Sequence, residues 1–262
     1  MAVVLVSETQ TCIGGAVAVG LAGAGRYTVV AGSPPGSPRL DRPGLVDVEL
    51  DLTSAESIAA VLDDIDEHYD GLDAVVANGR TGRFSPLELF DADELERTIE
   101  INLVGQLRLL HRAIGSLRRS DNPRIVGLSN TIGPLGLPGG SVSCAARGGL
   151  EVALDALRHE LRPLGFRVSV VRGAPSDVAD YGLPSPHRDH ADYGSLVRSV
   201  NELGCQTMPA ASIVELVDRA LTDTPPRHRY HVGAYAELTE QLRTASDREL
   251  DEFVQDFFDI AP

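Results

Sequence analysis

Short, nearly unbroken apolar runs alternate with helical stretches through the first two thirds of this chain, and that alternation constrains its fold more than any other feature. Val3–Val6, Tyr27–Ala31, Asp47–Leu50, Asp73–Ala77, Arg124–Leu128 and Arg167–Arg172 read as strands. Between them the sequence predicts helices at Gly14–Ala24, at Ala55–Tyr69 behind a Thr53 or Ser54 cap, from about Asp91 to Ser120, and from Ser143 to Leu161. In the long helix, Leu95, Ile99, Leu103, Leu107 and Leu110 are spaced for one buried face. Strands without polar alternation need cover on both sides, which a parallel sheet between two helix layers supplies. The expected fold class is therefore α/β, a doubly wound parallel sheet, with its ligand crevice beyond the carboxyl ends of the strands. Ser33–Pro38 is a loop, because its prolines, glycine and serines exclude regular structure. Residues 173–193 are irregular, helices follow near Ser195–Glu202 and Ala210–Leu221, and Tyr230–Val232 is a short last strand. Nothing in the composition marks a linker. The expectation is one domain over 1–262, with 173–222 covering the substrate and 234–262 forming a helical tail.

At 262 residues, 43% hydrophobic and 23% charged, the chain can bury one sizeable core. A formal net charge of −15 argues against a phosphate-backbone partner and against anionic membranes. Cys12, Cys144 and Cys205 are too scattered for a disulfide framework or a metal site. The first residues carry no basic leader pattern, and no apolar run approaches the ~18 residues of a membrane span. The expectation is a soluble cytoplasmic protein. All 23 basic residues are arginines.

Five motifs occur in a telling order: Val3-Val4-Leu5-Val6-Ser7-Glu8-Thr9-Gln10-Thr11-Cys12-Ile13-Gly14, Leu50-Asp51-Leu52-Thr53, Val75-Val76-Ala77-Asn78-Gly79, Ile101-Asn102-Leu103-Val104-Gly105, and Gly136-Leu137-Pro138 through Leu150-Glu151. Together they resemble the short-chain dehydrogenase/reductase family over roughly Val3 to Glu240, most closely its branch of steroid and retinol dehydrogenases. The resemblance implies a single Rossmann-like domain and a nicotinamide dinucleotide at the glycine-rich turn. It also implies an adenine contact at Asp51, a supporting Asn78, and a homodimer or homotetramer through the helices that begin near Asp91 and Ser143.

The chain departs from the family pattern at the positions that carry chemistry. In the phosphate turn the first two glycines are Glu8 and Cys12, and Gly14 alone is kept. Such turns use glycine so that backbone amides at a helix N-terminus can approach pyrophosphate. A carboxylate there adds bulk and like charge, and two like charges ~4 Å apart repel by about 1 kcal/mol even in bulk water. Gly32 and Ser33 offer neither an acid for ribose hydroxyls nor an arginine for a 2′-phosphate, and Arg39 and Arg42 lie on the Pro-rich loop. Arg80 replaces the last glycine of the Asn78 turn. By register, the family's serine, tyrosine and lysine fall on Asn130, Ser143 and Arg147, while the helix asparagine is kept as Asn102. A serine hydroxyl is too weak an acid to stand in for a tyrosine, and an arginine does not release its proton.

Three readings follow. In the first, no cofactor is used: Asn130, Ser143, Arg147 and Arg80 hold and polarise a small, hydrophobic, oxygenated substrate, and Asn102, Tyr181 and His187 complete the site. Such an enzyme would be a cyclase, lyase or isomerase of secondary metabolism, working through orientation and fixed dipoles. The second is a non-catalytic protein that binds a small molecule or a partner. The third is a residual NAD(P)-dependent oxidoreductase whose proton donor is displaced to Tyr181 or Tyr193. The sequence favours the first, with no confident cofactor ligand among Glu8, Cys12, Gly14, Asp51 and Asn78 and no metal site. His187-Arg188-Asp189-His190 reads as a solvated loop, Arg172 as a salt-bridge partner of Asp177 or a substrate contact, and His228 and His231 as structural.

Overall fold

A computed structural model of the chain describes residues 1–79, 82, 84–130, 135–173, 187, 189–203, 210–232, 241–242 and 244–258. Seven strands, β1 (Ala2–Val6), β2 (Tyr27–Ser33), β3 (Leu45–Glu49), β4 (Ala74–Ala77), β5 (Arg124–Asn130), β6 (Arg167–Gly173) and β7 (Arg229–Val232), form one sheet in the order β3-β2-β1-β4-β5-β6-β7. Every neighbouring pair is parallel. Its helices are α1 (Cys12–Gly23), α2 (Ala55–Tyr69), α3 (Ala92–Ile99), α4 (Gly105–Leu117), α5 (Ser141–Leu161), α6 (Gly194–Leu203), α7 (Ala210–Thr222) and α8 (Asp247–Phe258). The doubly wound Rossmann-like sheet is thus present, and the strand order reverses beside β1, where such folds bind ligands.

The two-residue period of the strands divides the core. Leu5, Val75, Ile125 and Val170 face a layer containing Ile58 and Leu62 of α2, Leu109 and Leu110 of α4 and Leu154 of α5. Val4, Val6, Val76, Val126 and Val171 face Val17 and Leu21 of α1 and Ile213 and Val217 of α7. A third, smaller cluster lies apart from both: Phe84, Leu135, Leu137 and Phe258 are buried together, with Leu196 and Val254 packed against them. It ties α6 and α8 to the loops that follow β4 and β5.

Several boundaries differ from the sequence expectation. Strand β2 runs on to Ser33, because Ser33 still pairs with Glu49 across β3. Ser54, not Thr53, caps α2 by accepting from Ser57 N, while Thr53 turns its hydroxyl to Asp51. The long helix is broken by one π turn at Glu100–Val104. That extra residue shifts the phase of the face, so Thr98, Ile101, Asn102, Gln106, Leu109, Leu110 and Ala113 are buried. Leu95, Ile99, Leu103 and Leu107 of the expected stripe remain half-buried.

Candidate functional site

The crevice begins at the turn after β1. Glu8 adopts the left-handed region with φ +52°, the conformation glycine takes freely, and the residue is buried. It does not turn outward to solvent. Its carbonyl accepts from Thr11 Oγ1 at 2.9 Å and from Asn78 Nδ2 at 3.1 Å. Thr11 is the N-cap of α1: its Oγ1 accepts from Gly14 N at 3.0 Å and from Asn78 Nδ2 at 2.9 Å. A Cβ added at Gly14 would lie 2.3 Å from Glu8 O and 2.5 Å from Asn78 Nδ2, so this position admits glycine alone. Cys12 opens the helix. The turn therefore keeps a helix N-terminus and a close backbone approach, the two features that receive phosphate, although its side chains depart from the pattern.

Behind the turn, Ser7 Oγ accepts from Asn78 N at 2.9 Å and donates to Gln106 Oε1 at 3.2 Å, while Gln106 Nε2 donates to Asn78 O at 2.7 Å. Gln106 has no exposed surface. Sequence reasoning missed this lock, and it also missed the role of Thr11, though a threonine just ahead of an apolar helical run is a capping signal.

At the end of β2, Ser33 Oγ lies 2.7 Å from Thr9 Oγ1, accepts from Gln10 Nε2 at 3.2 Å and donates to Asp47 Oδ1 at 3.3 Å. Asp51 Oδ1 accepts from the backbone and hydroxyl of Thr53, at 2.9 and 2.7 Å. These hydrogen bonds hold its carboxyl below the usual aspartate value, with the charges of Arg97 and Arg108 adding to the effect.

On the substrate side, Asn102 sits in the π turn and donates Nδ2 to Thr98 O at 2.9 Å, while its buried Oδ1 has no hydrogen-bond partner. A Cβ on Gly79 would come within 2.4 Å of that oxygen, and one on Gly82 would come within 2.6 Å of Ser143 Oγ. Two glycines after β4 thus let Asn102 and buried Ser143 close on the same loop. Asn130 is the last residue of β5, and Arg147 is half-buried one turn beyond Ser143 on α5. Of the expected site residues, Asn102 and Ser143 thus border one loop. His187 lies in the turn ahead of α6, where its carbonyl accepts from His190 N. Tyr181, Arg80 and Asp177 fall outside the described residues. Tyr193, the other displaced acid considered, is held above its ordinary value by a hydrogen bond and the charge of Glu88.

Arg172 is not exposed to solvent. It is fully buried, and its Nε reaches both carboxylate oxygens of Glu151 at 3.1 Å. This pair joins the end of β6 to α5 one turn below Arg147.

Fold and crevice define the class: a doubly wound sheet with a dinucleotide-type turn at its switch point and a polar cluster beside it. The match is specific. The short chain dehydrogenase family model covers residues 2–180, and the chain belongs to that family. Human 17-beta-hydroxysteroid dehydrogenase type 1 is 27% identical over 208 residues, 75% of this chain and 61% of that protein. Mouse mitochondrial D-beta-hydroxybutyrate dehydrogenase is 26% identical over 213 residues, 72% of this chain and 62% of its own length. The chain thus spans about three fifths of these curated relatives. Among solved structures, a short-chain dehydrogenase from Streptomyces avermitilis superposes with a TM-score of 0.81 at 22% identity, over 100% of this chain and 98% of that one. An alcohol dehydrogenase from Thermococcus sibiricus, solved with 5-hydroxy-NADP, gives 0.71 at 20% identity over 90% and 97%.

These matches overturn the expectation of a cofactor-independent cyclase, lyase or isomerase, and with it the expectation that no cofactor is used. The family match runs through the whole dinucleotide half, and the relatives aligned with it are dehydrogenases. The sequence reading weighed side chains, whereas a phosphate turn works through backbone amides and a helix terminus, and that scaffold persists here. No helix among the described residues is long and apolar enough to cross a membrane.

Proposed function

We propose that this protein is an NAD(P)-dependent oxidoreductase that interconverts a hydroxyl and a carbonyl on a small hydrophobic molecule, without a tyrosine–lysine pair. The carrying observation is the turn around Gly14, where a Cβ would strike Glu8 O at 2.3 Å and Thr11 caps the helix behind it. That packing closes the turn on itself and leaves the N-terminus of α1 at the switch point, which supports a dinucleotide pyrophosphate there, with Asp51 as the adenine contact and Asn78 bracing the turn. The bound nicotinamide would supply or accept the hydride, and the matching proton would come from, or return to, a displaced tyrosine, Tyr181 or Tyr193. The chain would supply orientation: Ser143, and Asn130 at the end of β5, would donate hydrogen bonds that steady a carbonyl oxygen, and Asn102 Oδ1, without a hydrogen-bond partner among the described residues, would offer an acceptor. Arg147 would contribute fixed positive charge rather than a transferable proton. The kinship with hydroxysteroid and hydroxybutyrate dehydrogenases supports an apolar alcohol or ketone as substrate. Pairing of two copies through the outer faces of α3, α4 and α5 completes the reading.

Calorimetry with NAD, NADH, NADP and NADPH tests it, followed by turnover assays on 17-beta-hydroxysteroids and D-beta-hydroxybutyrate. At least one dinucleotide should bind at micromolar concentration, and Gly14→Val should abolish that binding. Absence of saturable binding for all four would overturn the proposal.

A further inference from the structure

The opposite end of the sheet carries a second pocket, of about 270 Å³. Arg158 and Arg162 from the end of α5, Arg167 at the start of β6 and His228 just ahead of β7 line it. Its remaining lining residues, Phe166, Val168, Pro225 and Pro226, are apolar. The seven residues of β6 separate it from the crevice by roughly 20 Å at the usual rise per residue.

Three observations point to an anionic ligand. First, a chain of net charge −15 places three arginines and a histidine around a single pocket with no carboxylate in its lining. Second, the cations oppose one another. Burial and then the charges of Arg229 and Arg158 lower the His228 pKa against the pull of Asp155, and burial and then Arg167 lower that of neighbouring Arg124. Third, Arg158 Nε and both ring nitrogens of His228 are buried without hydrogen-bond partners. His228 Nε2 stands 3.6 Å from Asp155 Oδ1, and Asp155 Oδ2 is taken by Arg229 Nη2 at 2.6 Å. Neutral His228 keeps one N–H to donate and one nitrogen to accept, and buried polar atoms left open in this way are rare in native structures and call for a partner. Arg162 is exposed and has no ion pair among the described residues. Arg167 spends Nη1 on Gly165 O and Phe166 O, at 3.0 Å each.

We infer that this pocket binds a small organic phosphomonoester, its dianionic head held by Arg158, Arg162, Arg167 and His228 and its carbon skeleton against Phe166 and Pro225–Pro226. Guanidinium forks match phosphate oxygens two at a time, and the apolar lining distinguishes an ester from the free ion. The pocket size admits a ligand of one ring and one phosphate.

Calorimetry at low ionic strength on the full chain, with phenyl phosphate and with inorganic phosphate, tests the inference. Phenyl phosphate should bind saturably and several-fold more tightly than inorganic phosphate. Arg162→Gln should weaken it, and the Arg158→Gln, Arg162→Gln double variant should weaken it at least about tenfold, the scale expected for lost charge-assisted hydrogen bonds, with circular dichroism unchanged. Glu8→Gly, at the other end of the sheet, should leave the affinity alone. Equal binding of the two phosphates overturns the ester assignment. No saturation at millimolar concentration, unchanged affinity in the double variant, or tighter binding in Glu8→Gly overturns the site. None of these readouts depends on the oxidoreductase reading.

Discussion

Glu8 combines two penalties at one position, and one substitution relieves both. A left-handed φ of +52° costs an L-residue about 1 kcal/mol relative to glycine. The carboxylate also brings negative charge to the turn where pyrophosphate would lie. Glu8→Gly removes the left-handed penalty of about 1 kcal/mol together with the interactions of the buried side chain, and urea titrations read the balance of the two. It should also tighten dinucleotide binding, and the two effects can be read separately. Higher stability with unchanged affinity would show that the charge is already neutralised in the folded turn. The same residue shows why the side chains alone misled. Glu8 is visible in the sequence as a missing glycine, but its backbone conformation is not, and the backbone makes the turn. Thr11, Asn78 and Gln106 make a parallel point: each is an ordinary polar residue in the sequence, and only their convergence within 2.7–3.2 Å reveals a lock.

Among the elements, strands and helices were legible because apolar periodicity reports burial directly: α2 ends where the pattern ends, and β1 and β6 fall within a residue or so of their expected bounds. The π turn at Glu100–Val104 was not legible, since one inserted residue changes the phase of a face without changing its composition. Register along α5 placed Ser143 and Arg147 correctly on one helix, yet it could not reveal that Arg172 reaches across from β6 to Glu151. That link defines a prediction at this scale. Removing one partner of a buried ion pair typically costs about 3–5 kcal/mol. Glu151→Ala should lower stability by that order and loosen α5 against β6, whereas Glu151→Ala combined with Arg172→Met should recover much of the loss. Chemical denaturation of the three variants checks it, and a double variant no more stable than Glu151→Ala would show that Arg172 is held by other groups.

For the whole molecule, the half-buried stripe along the broken helix bears on assembly. Leu95, Ile99, Leu103 and Leu107 run along α3 and α4, and Leu103 lies against Gly149 of α5, where an added Cβ would come within 3.2 Å of it. Beside them Val104 is 39% exposed and Val152 is 69% exposed. Two copies pairing through such a face would bury these side chains, and a stable contact needs about 800 Å² from each. With net charge −15 on each copy, pairing must work against mutual repulsion, so the dimer should tighten as salt rises through the range where the Debye length falls to about 8 Å. Val152→Arg places a charge at the centre of this face and should shift sedimentation towards monomer, while dinucleotide binding at the distant phosphate turn stays the same. A dimer that survives Val152→Arg and ignores salt would place the interface on another surface. A monomer that also loses dinucleotide binding would instead mean that pairing holds α4, and with it the Gln106–Asn78 lock, in place.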